Sequence, residues 1–295
     1  GTMIFSELVT VLANGIFLGS LFAMMGLGLS ISFGIMKLVN IAHGDLIIVM
    51  SYLTLYFSET LGLSPFLSMF LVLPAAFVLG FLFQTALINP VQKNDDLPPL
   101  LVTFGLSILI ENLLIAVRSV DPVGIDAGPI EIASFDIAGA TLGWLPFIVF
   151  VTSIVLFLAY SLLLKRTSFG RTIRATADDP EIVQAFSVDQ KRVFGLAMSV
   201  AFVAMAVAGM FLIVRTTITP FSGIERLLIA FEVVVIGGLG SIWGTFAAGI
   251  LLGIIQILGF TFIKPIWGVF CAHAFFFIVL MLRPQGLFGT RMRSA

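Results

Sequence analysis

Long apolar runs recur from one end of this chain to the other, and that recurrence decides most of what it can fold into. A helical membrane crossing takes roughly 20 apolar residues to span about 30 Å of hydrocarbon. Such runs cover residues 8–34, 38–57, 66–88, 99–117, 145–164, 193–214, 242–262 and 266–282, with a shorter one at 227–236. The short run cannot cross as a regular helix and reads as a tilted crossing or a re-entrant piece. The expected fold class is all-α: a polytopic integral membrane helix bundle of about eight or nine transmembrane segments, one of them broken or short. Residues 1–295 form one transmembrane domain, with Gly1 and Thr2 ahead of Met3 set aside as an expression scar.

Composition closes off most other classes. The chain is 59% hydrophobic and 11% charged, against about 25% charged for an ordinary soluble domain. The connecting segments leave no room for a soluble catalytic domain. The net charge of -1 comes without a basic face, which argues against nucleic acid. A single cysteine, Cys271, excludes a disulfide framework or a CxxC site and reads as packing. Lys37, Lys93, Lys165, Lys191 and Lys264 all lack the preceding glycine that a P-loop needs, so the chain has no ATP site of that kind. His43 and His273 lie on separate runs without an HExxH pattern, and no GxSxG elbow occurs, so neither a metal site nor an enzyme is expected.

Basic residues set the expected orientation. Residues 165–192 hold Lys165, Arg166, Arg171, Arg174, Lys191 and Arg192. With that stretch inside and nine alternating crossings, Lys37, Lys93, Arg283, Arg291 and Arg293 also fall inside. Only Arg118, Arg215, Arg226 and Lys264 fall outside. The N-terminus is then external, the C-terminus and the 165–192 loop are cytoplasmic, and residues 118–143 are the largest external loop.

Four polar or small-residue features remain. Asn40, His43, Gly44 and Asp45 cluster at the start of an apolar run. Ionisable groups at membrane depth cost roughly 2.5–3.5 kcal/mol each on insertion scales unless paired or wetted. The cluster therefore reads either as a broken helix end on a translocation pathway or gate, or as an interfacial cap. Glu111, Asn112 and Glu232 sit within runs and are expected to face the protein interior, on a pathway or in interhelical hydrogen bonds. His273, among phenylalanines, reads as a packed core histidine. Gly15 and Gly19, and Gly240 and Gly244, stand four apart as helix-packing pairs, while Gly237 and Gly238 permit a chain reversal. Finally, Asp178, Asp179, Pro180, Glu181, Val183 and Phe186 mark a short helix capped by Asp179, with Pro180 in its first turn. So short a helix needs a docking surface, the bilayer or a cytoplasmic partner.

Asn40-Ile-Ala-His-Gly-Asp45 after Phe33-Gly34, Arg174-Ala-Thr-Ala-Asp-Asp-Pro-Glu181, and Val235-Ile-Gly-Gly-Leu-Gly-Ser-Ile-Trp-Gly-Thr245 occur in that order. Together they resemble the permease subunits of branched-chain amino-acid ABC importers, over residues 12–288. One departure is Asp45, where Glu is the more frequent residue of the family pattern.

The resemblance implies half of a heterodimeric pore of the type II importer kind, in a bacterial inner membrane. The implied partners are a second homologous permease, two cytoplasmic ATPases that carry ATP and Mg, an external solute-binding protein, and membrane lipid. No cofactor is implied on this chain. The segment around Asp179 to Phe186 becomes the coupling helix that docks on an ATPase. Urea, short amides and organic carboxylates are alternative substrates within the family. Helix ends near Asn40–Asp45 offer positive potential to a carboxylate. A self-sufficient secondary transporter or channel that uses its buried carboxylates is the competing class.

Overall fold

The structure, a computed structural model, describes residues 2–92, 95–179 and 186–289. Among the described residues ten α-helices follow in order: α1 Thr2–Met36, α2 His43–Leu61, α3 Pro65–Leu82, α4 Leu97–Arg118, α5 Trp144–Arg166, α6 Ser168–Asp178, α7 Gln190–Arg215, α8 Gly223–Gly237, α9 Ile242–Phe262 and α10 Trp267–Leu282. Every apolar run of the sequence overlaps one of these helices. By length and composition six helices can cross a membrane: Phe5–Met36, Pro65–Ile88, Leu97–Arg118, Trp144–Arg166, Gln190–Arg215 and Ile242–Phe262. The other three helices that fall on apolar runs are shorter or more polar, and α6 falls on none of the runs. α8 has 15 residues, α10 has 16, and α2 carries His43, Asp45 and Glu59.

α7 is the hub of the bundle. In its most apolar window 89% of residues are buried, against 11% for α4. Ala197, Ala201, Ala204, Ala206, Ala208 and Gly209 keep its surface low. α1, α2 and α3 therefore approach it closely on different sides. α4 instead lies at the periphery, and its outer face is unmatched by this chain.

The small-residue pairs work as backbone contacts. A Cβ on Gly19 would lie 2.5 Å from the Gly249 carbonyl oxygen, and one on Gly253 would lie 2.3 Å from the Gly19 nitrogen. Gly15 meets Ile254 in the same way, so α1 and α9 cross backbone to backbone. At the end of α8, a Cβ on Gly244 would sit 2.1 Å from the Gly237 oxygen. Gly237 itself stays helical. The reversal falls on Gly238 and Gly240, at φ 92° and 82°, one step later than the sequence suggested.

At the opposite end, a two-stranded antiparallel hairpin joins Ser134–Ile137 to Ala140–Gly143. Ala138 and Gly139 both take positive φ (53° and 82°), as a two-residue hairpin turn requires. An Arg118–Glu59 ion pair at 2.5 Å joins the ends of α4 and α2 there. Val123 and Ile218 exchange backbone bonds of 2.9 and 2.8 Å, fastening the loop after α4 to the loop after α7.

Candidate functional site

The run read as 38–57 turns helical only from His43. α1 stops at Met36, where Lys37 enters the left-handed region at φ 54°, and helix resumes only at His43. His43 Nε2 lies 2.7 Å from the Met25 carbonyl oxygen. Met25 precedes the end of α1 by about 16 Å of helix rise. The chain thus turns back beside α1, and α2 starts next to its interior.

Backbone groups freed by the break are satisfied locally. Asn40 Oδ1 accepts from Ala42 N at 3.0 Å, and the Asn40 carbonyl accepts from His43 N at 3.2 Å. Asn40 and His43 are fully buried, and Asp45 is 5% exposed. Two polar atoms stay open: Asn40 Nδ2 and His43 Nδ1 have no partner among the described residues. Donation to a carbonyl places the His43 proton on Nε2, so in the neutral ring Nδ1 is a bare acceptor. One donor and one acceptor are thus held unpaired inside the bundle.

α4 supplies the facing wall through a stripe spaced four apart: Thr103, Ser107 and Glu111. Thr103 Oγ1 accepts from Ile41 N at 3.2 Å, and Ser107 Oγ donates to Asp45 Oδ2. Glu111, half-buried one turn on, is within electrostatic reach of Asp45. Asn112 departs from the expectation that it faces the interior. It lies off the stripe, exposed, with Nδ2 donating to the Ile108 carbonyl at 2.8 Å.

The first turns of α2 and α8 touch. A Cβ on Gly44 would lie 1.8 Å from the Gly223 oxygen, and one on Gly223 would lie 1.9 Å from Asp45 Oδ1. Arg226, in the same turn of α8, is largely buried, with Nη1 3.5 Å from Glu225 and Nε without a partner. Sequence reasoning placed it in an external loop and missed this buried cation.

Glu232 is a separate station. It is 2% exposed, and Oε1 lies 2.5 Å from Nδ1 of His273 on α10, while Oε2 has no partner among the described residues. His273 is therefore the partner of a buried carboxyl and not simply a packed core ring. Its side chain is 39% exposed.

The proposed coupling segment is described only at its edges. Asp179 closes α6, its N–H donating to the Ala175 carbonyl at 3.0 Å. Asp178 is exposed, and Phe186 is 78% exposed. Pro180, Glu181 and Val183 lie outside the described residues, as do Lys93, Arg291 and Arg293. Among the described residues no three His, Cys, Asp or Glu side chains gather to hold a metal ion.

A buried polar helix break, braced by the polar stripe of α4 inside a bundle of apolar helices, fits a multi-span membrane transport subunit. The chain belongs to the family of branched-chain amino-acid transport system permease components, whose family model matches residues 11–282. It is 25% identical over 290 residues to the high-affinity branched-chain amino-acid transport permease BraD of Pseudomonas aeruginosa, covering 94% of each chain. It is likewise 25% identical over 288 residues to LivH of Escherichia coli K12, again covering 94% of each. Among solved structures, PsaBC from Streptococcus pneumoniae aligns with a TM-score of 0.49 at 16% identity, over 94% of this chain and 92% of that one.

Proposed function

We propose that this chain forms half of the translocation pathway of an ATP-driven importer for branched-chain amino acids. The carrying observation is the unpaired donor–acceptor pair, Asn40 Nδ2 and His43 Nδ1, buried at a helix break beside Asp45. Leaving a buried polar atom unpaired costs about 1–3 kcal/mol. Such a cost is tolerated where a passing solute or water supplies the partner, or where the alternate state of a gate does. The first-turn amides of α2 and α8 add positive potential for a substrate carboxylate.

In this reading α2, α8 and α10 join the six long helices to give nine crossings. The 165–192 loop and the C-terminus are cytoplasmic, and the hairpin end faces an external solute-binding protein. Asp178, Asp179 and Phe186, with Pro180, Glu181 and Val183 between them, dock on one of two ATPases that bind ATP and Mg. The exposed outer face of α4 meets the second permease, which would cover Asn112. The complex sits in a bacterial inner membrane. A self-sufficient transporter is disfavoured, because the family and the relatives it matches are permease components of branched-chain amino-acid transport systems.

The test is reconstitution of the purified complex into proteoliposomes with ATP on the ATPase side, followed by uptake of labelled leucine, isoleucine or valine given with the binding protein. ATP-dependent uptake supports the reading. Uptake by this chain alone, driven by an ion gradient, would remove it. Uptake confined to urea, amides or other carboxylates would reassign the substrate.

A further inference from the structure

Away from the helix break, a cavity of about 330 Å³ opens where the ends of α1 and α5 meet α6 and the first turn of α9. Lys165 from α5 and Arg174 from α6 both line it, and no Asp or Glu does. Both are exposed, and neither forms an ion pair among the described residues. Two cations in one concavity, unpaired among the described residues, attract an anion.

The remaining lining suits oxygen-rich anions. α9 starts at the cavity wall, capped by Ser241, so the positive end of a 21-residue helix faces it. Ser161 Oγ accepts from Trp243 Nε1 at 3.2 Å, which leaves its own O–H available to donate. Ser30 also lines the cavity, is 1% exposed, and its hydroxyl has no partner. On α5, exposed Leu158 and Leu162 descend from Lys165 along the same helix face. A cationic cavity at the end of an apolar helix therefore continues into an apolar track along it.

We propose that this cavity binds the phosphate headgroup of an anionic phospholipid, with Lys165 and Arg174 on the phosphate and an acyl chain along Leu158 and Leu162. The headgroup ties α6 to the rest of the bundle, because Arg174 belongs to α6 and the other contacts belong to α1, α5 and α9. Basic pockets between membrane helices recognise anionic headgroups in this way.

The full-length protein in mild detergent, titrated with phosphatidylglycerol or phosphatidylcholine and read by native mass spectrometry, tests the proposal. Phosphatidylglycerol should be retained in preference, and Lys165→Gln/Arg174→Gln should weaken that retention by about 30-fold. Lys165→Arg should keep it, and an excess of inorganic phosphate should fail to displace it. An unchanged thermal transition in the double variant shows that the fold is intact; should it shift, the single variants Lys165→Gln and Arg174→Gln carry the comparison. Equal retention of the two lipids, retention unchanged in the charge variants, or displacement by free phosphate overturns the proposal. A double variant that keeps its lipid but loses subunits co-purifying with the wild type also overturns it, and assigns the two cations to a protein interface.

Discussion

Gly44 and Gly223 meet so closely that a single methyl group on Gly44 would lie 1.8 Å from the Gly223 carbonyl oxygen. The obstacle is backbone on the facing helix, which cannot rotate away as a side chain can. Gly44→Ala must therefore separate the first turns of α2 and α8, and with them Asp45 from its place against Gly223. We expect loss of at least about 1–3 kcal/mol of stability, the usual toll of overpacking, together with loss of uptake. Thermal unfolding in detergent beside uptake in proteoliposomes checks this. Full activity and an unchanged transition would show that α2 and α8 separate freely at this point.

Asp45→Asn keeps the size of the side chain and removes its carboxyl group. The Ser107 hydroxyl still finds an acceptor in the amide oxygen, so the complex should assemble normally. Uptake should fall by tenfold or more, an order-of-magnitude expectation for the loss of one charge-assisted contact of about 1.5–3 kcal/mol. Ser107→Ala should fall less, because the Asp45 carboxyl is kept. Unchanged uptake by Asp45→Asn, at equal reconstituted protein, would take Asp45 out of the mechanism.

His273→Ala takes from Glu232, 2% exposed beside the intact ring, its one partner among the described residues. His273 is itself partly exposed, so the full penalty for breaking a buried pair does not apply. A loss of about 1–3 kcal/mol is expected. Glu232→Gln should cost less than His273→Ala, since the amide can still bond the ring. A double-mutant cycle with Glu232→Leu isolates the pair. Additive losses would mean that the 2.5 Å contact between α8 and α10 contributes nothing of its own.

How much of this was legible follows from how local each signal is. The helices announced themselves because a twenty-residue apolar run has few other solutions in a membrane. The cluster at Asn40, His43 and Asp45 stood out because polar groups are costly at that depth. Of its wall on α4 only Glu111 was read, although the signal reached further: Thr103, Ser107 and Glu111 repeat every four residues, which places them on one helix face. Ser107 alone looks ordinary in an apolar helix, and only the spacing marks it. The Glu232–His273 pair had no such signal, since the two residues lie on different helices and only tertiary packing joins them. Asp179 illustrates a conflict between neighbours. Its Asp-Pro pairing reads as a helix start, yet the same residue also terminates α6, a helix opened by Thr167 capping Gly170 N at 3.0 Å.

Phe186 presents 78% of its surface on this chain, in a segment flanked by Asp178 and Asp179 before it and by the Asp189 cap of α7 after it. A large apolar side chain held among polar neighbours suits a contact made with another subunit. Phe186→Asp should leave the fold of this chain intact, because the side chain buries little within it. Its effect should fall on the ATPases, either detaching them or breaking the link between substrate delivery and ATP hydrolysis. Gel filtration of the complex separates those two outcomes, and ATPase activity with and without loaded binding protein measures the second. Substrate-stimulated hydrolysis at the wild-type level would place the coupling contact elsewhere on the 165–192 loop. Phe186→Leu is the companion variant: it keeps an apolar contact of smaller area and should retain most of the stimulation, so that loss in Asp and retention in Leu together locate the contact at this side chain.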